Sequence, residues 1–208
     1  MSEIDVFAFA LDVPDWSRLE SLLDTEERER ATRFRFERDR RRYVVGRARL
    51  RAIIGADIGR DPRSIEFSYG SHGKPLIKHQ HARTRIDFNL TRSHELGLVA
   101  IQRDAEVGID VEQLRPFPEC LDIAQRFFSP AEYDRLSALR PFEVEEAFFT
   151  LWTQKEAVVK SLGLGLSHPM DVSSDRWVTT LPPPAQNYVA AVASNVPPVA
   201  IRQRNWAP

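Results

Sequence analysis

The chain opens on an apolar run rich in Val and Phe at residues 4–11, stopped by Asp12-Val13-Pro14-Asp15, which predicts a strand ending in a turn. Asp15 is placed to cap a short helix over residues 16–23. Thr25, with Arg28 where a capping box would have Glu, starts the next helix weakly. Leu50, Ile53 and Ile54 fall at helical spacing after Tyr43 and Val44, so a long helix is predicted over 38–56, closing near Gly55 with arginine on its other face. Residues 65–69, 85–90, 96–102 and 107–111 read as strands, separated by a Gly- and Pro-containing loop at 70–75 and polar turns at 92–95 and 104–106. Pro116 and Pro118 break the chain before helices over 121–128 and from Ser129-Pro130 to about 139. A second long helix covers 142–162, ended by Gly163 and Gly165, and strands follow at 177–181, 188–193 and 199–202.

This order fits an α+β fold of two halves, residues 1–103 and 104–208, better than one alternating βαβ sheet. No residue-level repeat relates the halves. The length, 208 residues, and the 42% hydrophobic content suit a soluble globular chain. A single cysteine, Cys120, excludes a disulfide framework and a Cys-based zinc site, and predicts a reducing compartment. No stretch approaches the roughly 18 apolar residues of a membrane span, and the first residues, Met-Ser-Glu-Ile-Asp, are acidic where a signal peptide is basic. A cytoplasmic protein without membrane contact is therefore expected.

Charge changes the picture. The 29 Lys+Arg nearly balance 30 Asp+Glu, yet 25 of the cations are Arg and 13 of those lie in residues 26–63 among 7 acids. Nucleic-acid binding by this segment is set aside because acids interleave its arginines and the net charge is near zero. The four lysines are Lys74, Lys78, Lys155 and Lys160, and in so Arg-rich a chain each raises the question of a need for a compact ammonium.

Three segments carry candidate chemistry. In Gly108-Ile109-Asp110-Val111-Glu112, a strand would present Asp110 and Glu112 on one face, as a solvated edge or as oxygen ligands for a hard cation. On a helix, Trp152, Glu156 and Lys160 follow at i, i+4 and i+8 with Lys155 beside them, which is either a surface ion pair over a core Trp or part of a metal-diphosphate site. His72-Gly73-Lys74-Pro75 and Asn89-Leu90-Thr91-Arg92-Ser93-His94 combine glycine with anion-binding groups, although a turn with a solvated Lys has the same sequence.

Together, Gly73-Lys74-Pro75, Phe88-Asn89-Leu90-Thr91-Arg92-Ser93, Gly108-Ile109-Asp110-Val111-Glu112, Arg126-Phe127-Phe128-Ser129-Pro130-Ala131-Glu132-Tyr133 and Phe149-Thr150-Leu151-Trp152-Thr153-Gln154-Lys155-Glu156-Ala157 through Lys160 to Leu166 resemble the motif series of the long, surfactin-synthetase-activating type of 4′-phosphopantetheinyl transferase. The resemblance runs from about Leu23 to Asp171. It implies two similar α+β halves forming an intramolecular pseudo-dimer, the N-terminal one serving the nucleotide side of coenzyme A and the C-terminal one the metal and catalytic side. It implies Mg²⁺, with Mn²⁺ as a substitute, on Asp110, Glu112 and Glu156. Lys160, and Lys155 beside it, would neutralise the diphosphate of the substrate coenzyme A, while Lys74-Pro75, Thr91-Arg92, Arg42 and Arg30 would hold its 3′-phosphate and adenine side.

The implied reaction moves the phosphopantetheine arm to a serine of an apo acyl or peptidyl carrier protein and releases adenosine 3′,5′-bisphosphate. Glu156 is the candidate base, with water or Glu112 in its stead if a metal engages it fully, and Lys160 the charge-stabilising partner. Two departures from the family pattern stand out: Arg92 where many relatives have His, and Glu27 where some have Lys, the latter suggesting a missing outer cation. Phe127-Phe128, Arg126 and the segment to Tyr133 are candidates for docking the carrier. A chain holding both halves is expected to act as a monomer. The competing reading is a non-catalytic module binding coenzyme A or carrier protein, which would not need three carboxylates. Lys78 is left without a role.

Overall fold

The structure, a computed structural model, describes residues 3–78, 85–164 and 175–206. In chain order it forms β1 (Glu3–Ala10), α1 (Thr25–Thr32), α2 (Glu37–Ile58), β2 (Phe67–Tyr69), β3 (Pro75–Ile77), β4 (Ile86–Ser93), β5 (Leu96–Arg103) and β6 (Val107–Gln113). There follow α3 (Cys120–Phe127), α4 (Pro130–Ser137), α5 (Pro141–Leu162), β7 (Trp177–Thr180), β8 (Tyr188–Ser194) and β9 (Ala200–Asn205).

Strand β1 is apolar on both faces because it lies between two cores. Ile4, Val6 and Ala8 meet Leu98 and Ala100 of β5, Val107, Ile109 and Val111 of β6, and Ala190 and Val192 of β8. Phe7 and Phe9 point the other way, toward Val45, Leu50, Ile53 and Ile54 of α2. The strands order as β4-β5-β1-β9 in one sheet and β6-β8-β7 in the second, with β2-β3 a separate hairpin. α2 therefore covers one face of the first sheet, the second sheet packs on its other face, and α5 covers the second sheet through Ala157 and Val158 against Ala191 and Ala193. Each sheet thus carries one 22-residue helix outside it. Gly108 makes the last contact close: a Cβ there would stand 2.1 Å from the Ala157 carbonyl oxygen of α5.

The α+β reading holds, with several local corrections. Residues 16–22 form a 3₁₀ helix in place of an α-helix. α1 begins at Thr25 but is capped by Asp24: the Glu27 N–H donates to Asp24 Oδ1 at 2.9 Å and the Asp24 N–H to Glu27 Oε2 at 3.1 Å, a reciprocal cap. α2 runs through Gly55, where the Arg60–Pro62 turn packs against the bare backbone, and stops at Gly59, whose φ of 67° suits glycine. β4 continues to Ser93, so the predicted turn at 92–95 shrinks to the two residues before β5. β9 pairs in parallel with β1, which puts the last strand in the first sheet, across the expected division at residue 103. Gly165 and the motif residues 165–171 lie outside the described residues.

Candidate functional site

On β4, polar and apolar positions alternate, which would ordinarily mean one solvated face. The polar set is instead buried: Asp87, Asn89, Thr91 and Ser93 are each less than 8% exposed. They face β6, an edge strand whose outward N–H groups need partners. The Val107 N–H donates to Asp87 Oδ2 at 2.7 Å, the Ile109 N–H to Asn89 Oδ1 at 3.0 Å and the Gln113 N–H to Ser93 Oγ at 3.2 Å. Two hydroxyls of the same row reach β6 side chains: Thr91 donates to Asp110 Oδ1 and Ser93 to Glu112 Oε2, both at 2.9 Å. Side chains of β4 thereby close an edge that backbone pairing leaves open.

Above this seam lies a cavity of about 510 Å³. β6 contributes Asp110 and Glu112, α5 contributes Trp152, Glu156 and Lys160 from one face, and Gly163 and Leu164 follow. Trp152 is held against Phe148, ring centroids 5.7 Å apart. The Lys160 ammonium donates to Asp110 Oδ1 at 2.5 Å and to Thr91 Oγ1 at 3.3 Å, and stands 3.8 Å from Glu156 Oε2. Burial raises the Glu156 carboxyl to about 7, with Asp110 and Glu112 adding to the rise and Lys160 opposing it. Glu112 is raised by burial and by Asp110. Burial works against the Lys160 charge, but Asp110 and Glu156 outweigh it and its pKa rises.

Among the described residues, no three acidic, histidine or cysteine groups converge closely enough to hold a metal as they stand. The residues nevertheless fit a hard divalent cation. Asp110 Oδ2 is buried without a hydrogen-bond partner, and Glu112 and Glu156 bring further carboxylate oxygens to the same cavity. Three carboxyl groups face one ammonium in the cavity wall, and a divalent cation would favour their ionised form.

The other sequence-predicted residues divide. Lys74, Pro75, Thr91 and Arg92 line the same cavity. Arg92 crosses α2 at Gly46, where a Cβ would stand 2.9 Å from its Cδ, and no carboxylate pairs with it among the described residues. Its guanidinium and that of Arg30 both lie over the Tyr43 ring, at 5.8 and 5.7 Å from the centroid. Burial lowers the Arg92 pKa, and the charges of Arg47 and Arg30 lower it further.

Three expected cations are committed elsewhere. The Lys74 ammonium turns away to Asp87 Oδ2 at 2.6 Å and the Val107 carbonyl at 2.9 Å, leaving its aliphatic stem to the cavity. Arg42 forms a two-point pair with Asp12 at 2.6 and 3.0 Å. Lys155 pairs with Glu132 at 2.8 Å and lies over the Phe128 ring. Each partner is remote in sequence and was invisible to local spacing.

Glu27 is not a vacant outer position. It is 2% exposed and accepts from Arg47 and Arg51, each through Nε, so its charge offsets two buried guanidiniums. Phe128 is core, stacked on Phe148 at 5.5 Å, whereas Phe127 is 43% exposed. Lys78 makes a loose surface pair with Glu66 at 3.9 Å. Sequence reasoning gave no site role to Tyr43, the platform for Arg30 and Arg92, and took the Ser93 hydroxyl only as an anion-binding group. The polar row on β4 was the available signal for Ser93.

No described helix is long and apolar enough to cross a membrane. Residues 12–105 match the model of the 4′-phosphopantetheinyl transferase N-terminal region, and residues 106–203 match that of the 4′-phosphopantetheinyl transferase superfamily. The chain is 35% identical over 207 aligned positions to the 4′-phosphopantetheinyl transferase HetI of Nostoc sp. PCC 7120, covering 92% of this chain and 87% of the relative. It is 34% identical to a 4′-phosphopantetheinyl transferase of Bacillus subtilis, covering 80% and 71%, and 35% identical to Sfp of Bacillus subtilis strain 168, covering 76% and 68%.

Proposed function

The chain belongs to the 4′-phosphopantetheinyl transferase superfamily and is an enzyme that transfers the phosphopantetheine group to carrier proteins, and we propose that it does so in the cavity between β4, β6 and α5. The observation that supports this placement is the meeting of Asp110, Glu112, Glu156 and Lys160 on one wall with Thr91 and Arg92 on the other. Coenzyme A is the donor. Its 3′-phosphate is held by Arg92, with Arg30 beyond it on Tyr43, and its nucleotide side lies by Pro75 and the Lys74 stem. Asp110, Glu112 and Glu156 would hold Mg²⁺, or Mn²⁺ in its place, which would supply charge neutralisation for the diphosphate and polarisation of the phosphate under attack.

The carrier serine oxygen attacks the phosphorus that bears the pantetheine arm. The new P–O bond forms as the bond to adenosine 3′,5′-bisphosphate breaks, and the nucleotide leaves with that bond's electrons. Glu156 accepts the serine proton, with water or Glu112 in its stead where the metal engages it fully. Lys160 moves from Asp110 to the diphosphate and stabilises its charge. Arg126 and the exposed Phe127, at the end of α3, are the carrier's contact, and acidic carriers are steered by the basic N-terminal helices. The reading takes the enzyme as a cytoplasmic monomer in secondary-metabolite carrier activation, with neither nucleic acid nor membrane as partner.

The test is incubation with apo acyl and peptidyl carriers, coenzyme A and Mg²⁺, with intact mass as the readout. A phosphopantetheine adduct that disappears with chelator is expected. An adduct insensitive to chelator would remove the metal from the account, and coenzyme A binding without any adduct would favour the non-catalytic module. Arg92→Ala is expected to raise the KM for coenzyme A about 10-fold or more, the effect of losing a charged hydrogen bond. The KM for dephospho-coenzyme A, which lacks the 3′-phosphate, should change little; equal losses on both would place the phosphate elsewhere.

A further inference from the structure

The three carboxylates of the cavity all belong to β6 and α5, yet the group that fixes one of them comes from the other sheet. Ser93, the last residue of β4, is 7% exposed and touches β6 twice. Its Oγ accepts from the Gln113 N–H at 3.2 Å and donates to Glu112 Oε2 at 2.9 Å. Because the backbone N–H occupies a lone pair, the hydroxyl hydrogen is left to aim at the carboxylate. His94 Nδ1, at 3.4 Å, is the longer alternative. Glu112 has a second suitor: Arg115, 40% exposed, stands 3.6 Å from the same Oε2 and draws it toward solvent. Ser93 is thus the inward anchor and Arg115 the outward one.

We propose that Ser93 is a positioning residue for the divalent cation, holding the Glu112 carboxylate inward against the pull of Arg115 so that it stays with Asp110 and Glu156. The inference rests on the carboxylates being the metal site. Groups that hydrogen-bond a metal-ligating carboxylate typically contribute 10- to 100-fold to metal affinity. The position is set by the length of β4: had the strand ended at the predicted turn, residue 93 would be solvated and Glu112 would answer to Arg115 alone.

Mn²⁺ binding measured by electron paramagnetic resonance with coenzyme A present tests this on the whole chain. Ser93→Ala is expected to weaken Mn²⁺ binding about 10-fold or more and to raise the metal concentration needed for carrier loading, while the rate at saturating metal stays within a few fold. Ser93→Thr keeps the hydroxyl and should bind nearly as the parent does. Tyr188→Phe removes a different hydroxyl that donates to the Ser93 carbonyl at 3.4 Å, loosening the same strand end without touching Glu112. It should leave Mn²⁺ affinity unchanged.

Ser93→Ala binding within threefold of the parent overturns the proposal, as does an equal loss in Tyr188→Phe or no recovery in Ser93→Thr. Asp110→Ala separates the layers. If the parent binds no Mn²⁺, or Asp110→Ala binds it as well, the metal site itself is misplaced and the inference falls with it. If Asp110→Ala loses Mn²⁺ and Ser93→Ala does not, only the role of Ser93 falls.

Discussion

Glu156→Gln is expected to lower carrier loading about 10³-fold while the affinity for coenzyme A changes only a few fold. The carboxyl is buried in the wall of the cavity, 3.8 Å from Lys160 Nζ, and burial raises its pKa to about 7. The amide keeps the shape and a donor and acceptor but cannot act as a base, and loss of a positioned base costs roughly 10²- to 10⁴-fold. In the proposed site Arg92 and Lys160 hold coenzyme A and are not altered, and Asp110 and Glu112 would still keep the metal at its diphosphate. Single-turnover loading followed by intact mass, beside calorimetric titration of coenzyme A, separates the two. A near-parental rate would end the assignment of Glu156 as base, and a large loss of coenzyme A affinity would recast it as a binding residue only.

The second large effect is on stability. Glu27→Ala is expected to destabilise the fold by about 3–5 kcal/mol, the range for breaking a buried ion pair by removing one partner. Arg51 is fully buried and Arg47 nearly so, and both direct Nε at the Glu27 carboxylate, at 2.6 and 2.5 Å. Arg51 keeps Asp24 and the Ile65 carbonyl, but Arg47 is left with Tyr69, and the reciprocal cap of α1 is lost as well. Urea unfolding followed by circular dichroism measures the change; a loss below about 1 kcal/mol would show that the guanidiniums find other partners. Lysine at position 27 would be worse here, since it sets a third cation against two.

How far the sequence could be read follows from where each residue's partner lies. Trp152, Glu156 and Lys160 share a face because helical spacing alone puts them there, and Asp110 with Glu112 because strand spacing does. Those carboxylates and Lys160 were legible before any fold was known. Lys74, Arg42 and Lys155 carried the right charge in the right motif, but each charge is satisfied by an acid 13 to 30 residues away that only the tertiary fold brings near. The row Asp87, Asn89, Thr91, Ser93 misled in another way. Alternation announces two faces and does not say that the polar one will meet another sheet's edge instead of water. Phe127-Phe128 shows the same limit, since identical neighbours divide between surface and core according to the direction each bond points.

The Lys74 ammonium spans β4 through Asp87, the start of β6 through the Val107 carbonyl and, at 3.5 Å, the end of α5 through the Ser161 carbonyl. One half-buried cation therefore ties the loop at residues 73–75 to the helix that carries Glu156. A hinge between the halves would have to strip that ammonium of its oxygens. The ordering cost of bringing that loop and the end of α5 together is met once, during folding, so a ligand of the cavity would meet walls already set to width.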